Sequence, residues 1–484
     1  MSLRGPEEYV ASLRDGRRVM FRGQWVGDVT EHPLLRKAID HAAIDYRLAE
    51  DERTRGLFTA EVEGETMSRF YKVPQSAQDL QARMRAIETA TFEGRTVVTL
   101  IHEIGTDALF ALLRVALACD QRRGTAYLPR VRDLLHRARS GDWALSVAQT
   151  DSKGDRARGP AGQADPDQYL RIVERREDGI VVRGAKLHTS VSINANAMIV
   201  LPTRAMKPGE EDYAVSFWLP VATDGLKLVA SPYLSGRRSP IEHPLSAEHK
   251  MVESFTWFDD VFVPWEQVFL AGEVEFAGPL ALAFVDFHRF TAVSYKLPLV
   301  DLLVGAAGLM ARLNGIEAAG HVRDKLGSLA MYAATVRRLL EASALLGSLE
   351  QPGVFVPDAL AVNTAKYHFA HGFHEALRDV QDIAGGLLVT APAWDDFTSQ
   401  DVGPALRKYL AGAKGSAEER LRALYLVTDL AVSDLSGYHE VLAVHAEGSL
   451  EAEKLAAMRH FDLDGKVAAA AELAGIGGSQ ASKF

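Results

Sequence analysis

Residues 288–296 read HRFTAVSYK, which sets an imidazole, a guanidinium, a phenol and an ammonium within nine positions of an apolar, Ala-rich run. On a helix, His288, Tyr295 and Lys296 can share one side about two turns apart. Groups of these types can orient a ligand and pass protons to it. The plain alternative for His288 is a core histidine with satisfied hydrogen bonds. Glu253 poses the same choice within the apolar run VESFTWF. Buried, its carboxyl would titrate high enough to act as acid or base. On a solvent face it would be only a surface charge.

Three further segments have the make-up of a ligand cradle. Gln149-Thr150-Asp151-Ser152-Lys153-Gly154-Asp155-Arg156 offers hydroxyls and amides to a heterocycle edge and a guanidinium to a phosphate or carboxylate. A charged surface turn would look the same. Lys186 to Asn196 (KLHTSVSINAN) is unusually polar for a strand leading into a loop. Its small hydroxyls allow a planar ligand to come close, or form a hydrogen-bonded turn. Gly385-Gly386 can admit a pyrophosphate to the backbone or can cap a helix. His368, His371, His374 and Glu375 form a string on one predicted helix. One helix rarely supplies a whole metal site, so no metal is expected. No dinucleotide fingerprint, phosphate loop or nucleophile elbow is present.

The elements that would position these groups fall into three zones. Residues 1–142 show helical spacing in Leu34–Ala49, Leu80–Thr91 and Ile104–Leu117, with a small hairpin around Met20–Val26. Residues 143–275 read as a compact β domain, with a hairpin turning at Glu177-Asp178-Gly179. Residues 276–484 are helical again, over Phe284–Leu313, Val322–Leu349, Pro357–Ile383, Ala417–Leu435 and Leu450–Ala474, and suggest an antiparallel bundle. The chain is thus mainly α with a central β domain. A ligand site is expected where the three zones meet.

The 484 residues have ordinary globular composition and a formal charge of −10, which disfavours nucleic-acid and anionic-membrane partners. The single cysteine, Cys119, excludes an intrachain disulfide and reads as a buried structural thiol. No signal peptide and no membrane span are expected, which points to the cytoplasm.

SLRDGR, TDSKGDR, DPDQYLRIVERREDGIVVRGAKLH, SINANAMIVLPTRAM, DYAVSFWLP, FDDVFVPWEQVFL, HRFTAVSYK and DIAGGLLVTAP together resemble the 4-hydroxyphenylacetate 3-hydroxylase and 4-hydroxybutyryl-CoA dehydratase superfamily. The resemblance covers nearly the whole chain, and the middle zone is closer to the dehydratase branch. It implies an acyl-CoA-dehydrogenase-like fold: an N-terminal helical domain, a middle β-barrel domain and a C-terminal helical bundle. It also implies a homotetramer, with FAD lying between the β domain and the bundle. Gln149, Thr150, His188, Thr189, Ser190 and Ser192 would then line the flavin ring. Gly385 and Gly386 would approach the pyrophosphate, from a neighbouring subunit.

The departures from that family are informative. Where the dehydratase holds a [4Fe–4S] cluster on three cysteines and a histidine, this chain has Thr99, Glu103 and Tyr295, and keeps only His288. Thr, Glu and Tyr do not replace thiolates, so no iron–sulfur cluster is expected. Glu253 and Lys296 match an active-site glutamate and lysine of the dehydratase, while Ala292 stands at its tyrosine. Of the phenol hydroxylase's arginine, tyrosine and histidine, Arg95 remains and Thr99 and Val147 replace the others. 4-Hydroxyphenylacetate itself is therefore not the expected substrate.

The resemblance implies an FAD-dependent oxidoreductase, a two-component monooxygenase given reduced flavin by a separate reductase and acting on an organic small molecule, with aromatic compounds among the candidates. His288, Glu253, Arg95, Tyr295 and Lys296 are its expected catalytic groups. Thr99, Glu103, Val147 and Ala292 join Arg95 and Tyr295 around the substrate. The alternatives are a cluster-free acyl-CoA dehydratase or isomerase working through Glu253 and His288, and a non-catalytic binding subunit of the same fold.

Overall fold

A computed structural model describes residues 3–234, 236 and 238–476. The two outer ends of the expected zones, 1–2 and 477–484, lie outside the described residues. The strands are β1 (Val19–Phe21), β2 (Gln24–Val26), β3 (Thr59–Val62), β4 (Glu65–Ser68), β5 (Leu145–Ala148), β6 (Arg171–Arg175), β7 (Gly179–Ser190), β8 (Ala197–Val200), β9 (Val215–Pro220), β10 (Leu226–Ala230), β11 (Glu253–Pro264), β12 (Val268–Ala271), β13 (Ser348–Glu350) and β14 (Val354–Val356). A six-stranded sheet has the order β2-β1-β10-β11-β7-β6, and a four-stranded sheet the order β12-β9-β8-β5. Phe217 of β9 meets Phe258 of β11 edge to face at 6.0 Å between them.

The hairpin expected near residue 20 forms, but it does not stay with the helices. β1 pairs in parallel with β10, Val19 opposite Leu228, so the hairpin extends the central sheet. Sequence periodicity reports a strand and not its distant partner. The β3–β4 and β13–β14 hairpins were not expected from the sequence; each is three or four residues per strand, too short to show alternation.

Lys186 of β7 holds the two sheets together where they diverge. Its buried ammonium lies 2.9 Å from Asp151 Oδ1 and donates to the carbonyls of Gln149 and Leu201. On β11 the burial alternates through Phe258, as a sheet with one covered face requires, and slips at Asp259-Asp260, where Asp260 has φ 52°.

Five helices form the frame of the site: Ala77–Glu93, Glu103–Arg123, Val274–Asn314, Gly320–Leu345 and Ala359–Ala384. Val274–Asn314 is the spine, packed against the other four. At 41 residues it is about 60 Å long. By length and composition alone it could cross a membrane, but its most apolar window is 67% buried inside the fold, as for a core helix. The helix expected over Leu34–Ala49 is broken into Arg36–Ala42 and Ile44–Glu50, and that over Leu450–Ala474 into Leu450–His460 and Leu463–Leu473.

Candidate active site

The middle of the spine helix carries residues 288–296, all of them buried. His288 Nδ1 stands 3.1 Å from Asp107 Oδ2 on the helix Glu103–Arg123. The other oxygen of Asp107 accepts hydrogen bonds from Arg83 Nη2 (2.8 Å) and Thr291 Oγ1 (2.9 Å). With Nδ1 hydrogen-bonded to the Asp107 carboxyl group, Nε2 is the ring nitrogen left for a ligand. Phe284, one turn earlier, stacks on the imidazole at 4.9 Å and fixes its plane.

Two turns on, Tyr295 donates its hydroxyl to Glu447 Oε1, and Lys296 Nζ donates to Glu447 Oε2 at 2.7 Å. Burial would raise the Glu447 carboxyl, but Lys296 and Lys366 outweigh it and hold the pKa down at about 2. Lys296 is pushed down to about 8 by burial, against the pull of Glu447. Glu447 itself has φ 57°, and Gly448 follows at φ 114°. This turn between the helices Asp434–His445 and Leu450–His460 is tied to the spine a second time, by Arg289 Nε donating to the Glu447 carbonyl at 2.9 Å.

Glu253 begins β11. Its carboxylate accepts from Ser190 Oγ (3.0 and 3.1 Å) and Tyr438 Oη (2.8 Å). Burial raises its pKa to about 7, although both hydrogen bonds pull it back. The charges of Glu447 and Glu253 act on one another, and that of His288 acts on Glu447, so the three sets form one electrostatic unit.

A cavity opens among Thr96–Val98, Met251, Tyr295, Lys296, Leu299, Phe369, Tyr438, His439 and Leu442. Its free volume of about 20 Å³ is room for about one water. A larger hollow of about 570 Å³ lies between the β1–β2 hairpin and Glu31–Leu34 and includes none of these residues.

Thr99 and Glu103 belong to a second, fully buried cluster. Thr99 Oγ1 bridges Asp45 Oδ1 (2.8 Å) and Glu103 Oε1 (3.2 Å). His102 stands between Asp45 Oδ2 (3.1 Å) and Asp142 Oδ1 (3.3 Å), the latter contact poorly aligned for a hydrogen bond. Burial would lower the pKa of His102, but the two carboxylates hold it up at about 10. Burial and the neighbouring Asp45 push Glu103 up to about 8. Ala292 and Val147 are buried, the latter in β5, and offer no polar atom to a ligand. Arg95 is exposed, with φ 55°; its neighbours Thr96–Val98, not its own side chain, wall the cavity.

The cradle residues are dispersed by comparison. Gln149 and Thr150 sit half-buried just past β5, and their side chains make no hydrogen bond among the described residues. Such uncommitted amide and hydroxyl groups fit the edge of a flavin ring. Thr189 and Ser192 are buried and share a hydroxyl cluster with Ser254 and Thr256. Ser190 is committed to Glu253. His188, Arg156, Gly385 and Gly386 are exposed, and Gly385 has φ 84° with open space around it. A [4Fe–4S] cluster does not fit: Thr99 and Glu103 are bonded to each other and to Asp45, Tyr295 is bonded to Glu447, and Cys119 is buried elsewhere. No group of three or more His, Cys, Asp or Glu residues able to hold a metal occurs among the described residues, and His368, His371 and His374 form none.

Sequence reasoning missed Asp107, Tyr438 and Glu447. Asp107 lies one helical turn past Glu103, a signal that was available. The only sign of Glu447 is the Glu-Gly pair that ends a helix, which reads as a turn.

A buried imidazole on a carboxylate, a carboxyl titrating near neutrality and a narrow cavity between helices and sheet make up a candidate active site. The chain belongs to the 4-hydroxyphenylacetate 3-hydroxylase family. Residues 5–270 match that family's "4-hydroxyphenylacetate 3-hydroxylase N terminal" region and residues 277–475 its "C terminal" region. It is 33% identical to the 4-hydroxybutyryl-CoA dehydratase/vinylacetyl-CoA-Delta-isomerase of Clostridium aminobutyricum, covering 97% of this chain and 99% of that one. It is 30% identical to the oxygenase component of 4-hydroxyphenylacetate 3-monooxygenase from Thermus thermophilus, over 90% and 89% of the two chains. Among solved structures it is similar to an oxygen-tolerant archaeal 4-hydroxybutyryl-CoA dehydratase from N. maritimus (TM-score 0.93, 30% identity, 100% and 97% coverage). It is also similar to a 4-hydroxyphenylacetate 3-monooxygenase oxygenase component complexed with FAD (TM-score 0.89, 27% identity, 97% and 99% coverage).

Proposed function

We propose that this enzyme is the oxygenase component of a two-component, FAD-dependent monooxygenase acting on a small organic substrate. The observation that carries this reading is the Tyr295–Glu447 contact. The position that the family resemblance gives to a cluster thiolate is a phenol locked on a carboxylate, at a cavity of only about 20 Å³. A dehydratase without its Lewis acid has nothing to draw off a hydroxyl, whereas oxygenation benefits from a dry pocket. Reduced FAD, when bound, supplies the electrons that activate oxygen. Gln149 and Thr150 would hold its ring edge, and Gly385-Gly386 of a neighbouring subunit its pyrophosphate part. His288, oriented by Asp107, donates or accepts a proton at Nε2. Glu253 exchanges a proton with the substrate near neutral pH, and Lys296 keeps Glu447 ionised so that Tyr295 stays in place.

This reading includes a separate flavin reductase, a homotetramer, a cytoplasmic location and an acyl-CoA-dehydrogenase-like arrangement divided at 142 and 275. The junction of the two family regions, between 270 and 277, supports the second boundary. Oxygen uptake and peroxide release by the protein given reduced FAD test the function. Substrate should lower peroxide release as oxidised product forms. If phenols yield no oxygen-dependent product while 4-hydroxybutyryl-CoA is converted anaerobically, the redox-neutral acyl-CoA reading takes its place. The raised pKa of Glu253 suits that second reading as well. Stoichiometric iron and sulfide would overturn the cluster argument.

A further inference from the structure

Two buried polar side-chain atoms at the active-site cavity have no hydrogen-bond partner among the described residues: Thr96 Oγ1 and His439 Nδ1. Both residues wall that cavity, and they are only 8% and 6% exposed. They come from distant parts of the chain. Thr96 lies in the loop after the helix Ala77–Glu93, and His439 in the helix Asp434–His445. Buried polar groups in folded proteins are almost always bonded, either to protein or to ordered water. Two such atoms on the wall of one small space call for a shared partner. Thr96 carries a second mark. Its φ is 73°, a left-handed conformation that a β-branched residue rarely adopts. Such strain persists where the surroundings hold it in place, yet no protein group bonds the Thr96 hydroxyl.

The chemistry of the wall narrows what the partner is. Lys296 also lines the cavity, and an ammonium has more hydrogens to donate than its bond to Glu447 takes up. Burial, and then the charge of Lys296, bring His439 down to about 4 against the pull of Asp429. At neutral pH the ring is therefore uncharged and offers both an N–H and a lone pair. No carboxylate lines the cavity among the described residues, and the charge of Lys296 is already met by Glu447. A neutral guest that both donates and accepts is required. The free volume of about 20 Å³ suits one water.

We propose that this cavity binds a single ordered water, which accepts a hydrogen bond from Lys296 Nζ and bonds to Thr96 Oγ1 and His439 Nδ1. The water pins the loop that follows Arg95 to the spine helix and to the helix Asp434–His445. Tyr295 and Tyr438 stand on the same wall, their protons given to Glu447 and Glu253, so the water sits between the two carboxylate sets. With its hydrogen bonds taken, it is part of the fold and not a solvent molecule free to attack. The inference does not depend on which reaction the site performs.

Thermal unfolding tests it by sign. Thr96→Val keeps the shape of the side chain and loses its hydroxyl. With the water in place the substitution strips a hydrogen bond from it, and the variant should melt about 1–3 °C below wild type. In a dry cavity the same change removes an unpaired buried hydroxyl, so an unchanged or higher melting temperature would overturn the proposal. In a high-resolution crystal structure of the wild type, one water peak should lie within hydrogen-bond distance of all three atoms, and xenon under pressure should stay out. The peak should be lost when Thr96→Val is combined with His439→Phe. A missing peak, xenon in its place, or a peak unchanged in the double variant would each sink the idea. Should the double variant not fold, the wild-type map and the xenon result decide. None of these readouts involves flavin, oxygen or substrate, so their failure and the failure of the oxygenase reading are separate results.

Discussion

Glu253 is the residue whose behaviour depends most on its setting. At its ordinary value of 4.5 it would be fully ionised at neutral pH; burial brings it to about 7, where both forms are populated. Glu253→Gln should lower kcat by about 10²–10⁴-fold and remove the pH dependence centred near 7. Tyr438→Phe deletes a hydrogen bond that favours the ionised form, so the same limb should move to higher pH. A pH–rate profile unchanged in both variants would remove Glu253 from the mechanism. The sequence made Glu253 and His288 legible because each is a polar group out of place in an apolar run. It could not reveal Glu447, whose ligands Tyr295 and Lys296 lie about 150 residues earlier and are brought to it only by tertiary packing.

At the scale of elements, the turn at Glu447-Gly448 works as a strap that holds Tyr295 and Lys296, two walls of the cavity, and is tied to Arg289 of the spine. Gly448 adopts φ 114°, and a Cβ there would run into the Arg289 guanidinium. Gly448→Ala should therefore lower stability by about 1–3 kcal/mol and unseat Glu447. The pH dependence gives the readout. The Glu447 pKa is depressed from 4.5 to about 2 on folding, so its stabilisation is present above about 4.5 and is lost as pH falls toward 2. Urea unfolding between pH 5 and 3 should show a shallower acid loss in Gly448→Ala than in wild type; parallel curves would mean that the strap does not seat Glu447. Long periodic helices such as Ala359–Ala384 were legible in the sequence almost to the residue. The strap was not, because a turn has no period and its function lies in what it reaches.

For the whole molecule, the succession of helices, strands and helices was legible from composition and punctuation, while the membership of the sheets was not. The helix Leu463–Leu473 has no buried residue, and Leu463, Val467, Leu473 and Ile476 stand exposed beside Leu455, Met458 and Phe461. A row of apolar side chains this long suits burial against another copy of the chain. Sedimentation should show an oligomer, and removal of residues 462–484 should reduce its size at micromolar concentration without changing the helical circular dichroism per residue. An unchanged sedimentation coefficient per copy would assign the interface elsewhere. The parallel pairing of β1 with β10 has a different consequence, in time rather than in space. The two strands lie roughly 200 residues apart, so the edge of β1 that faces away from β2 has nothing to pair with until nearly half the polypeptide has left the ribosome. At ordinary rates of translation that is a wait of about 10–40 s. Over that interval the nascent chain carries an open hydrogen-bonding edge near its start, the point at which a holding chaperone would have most to do.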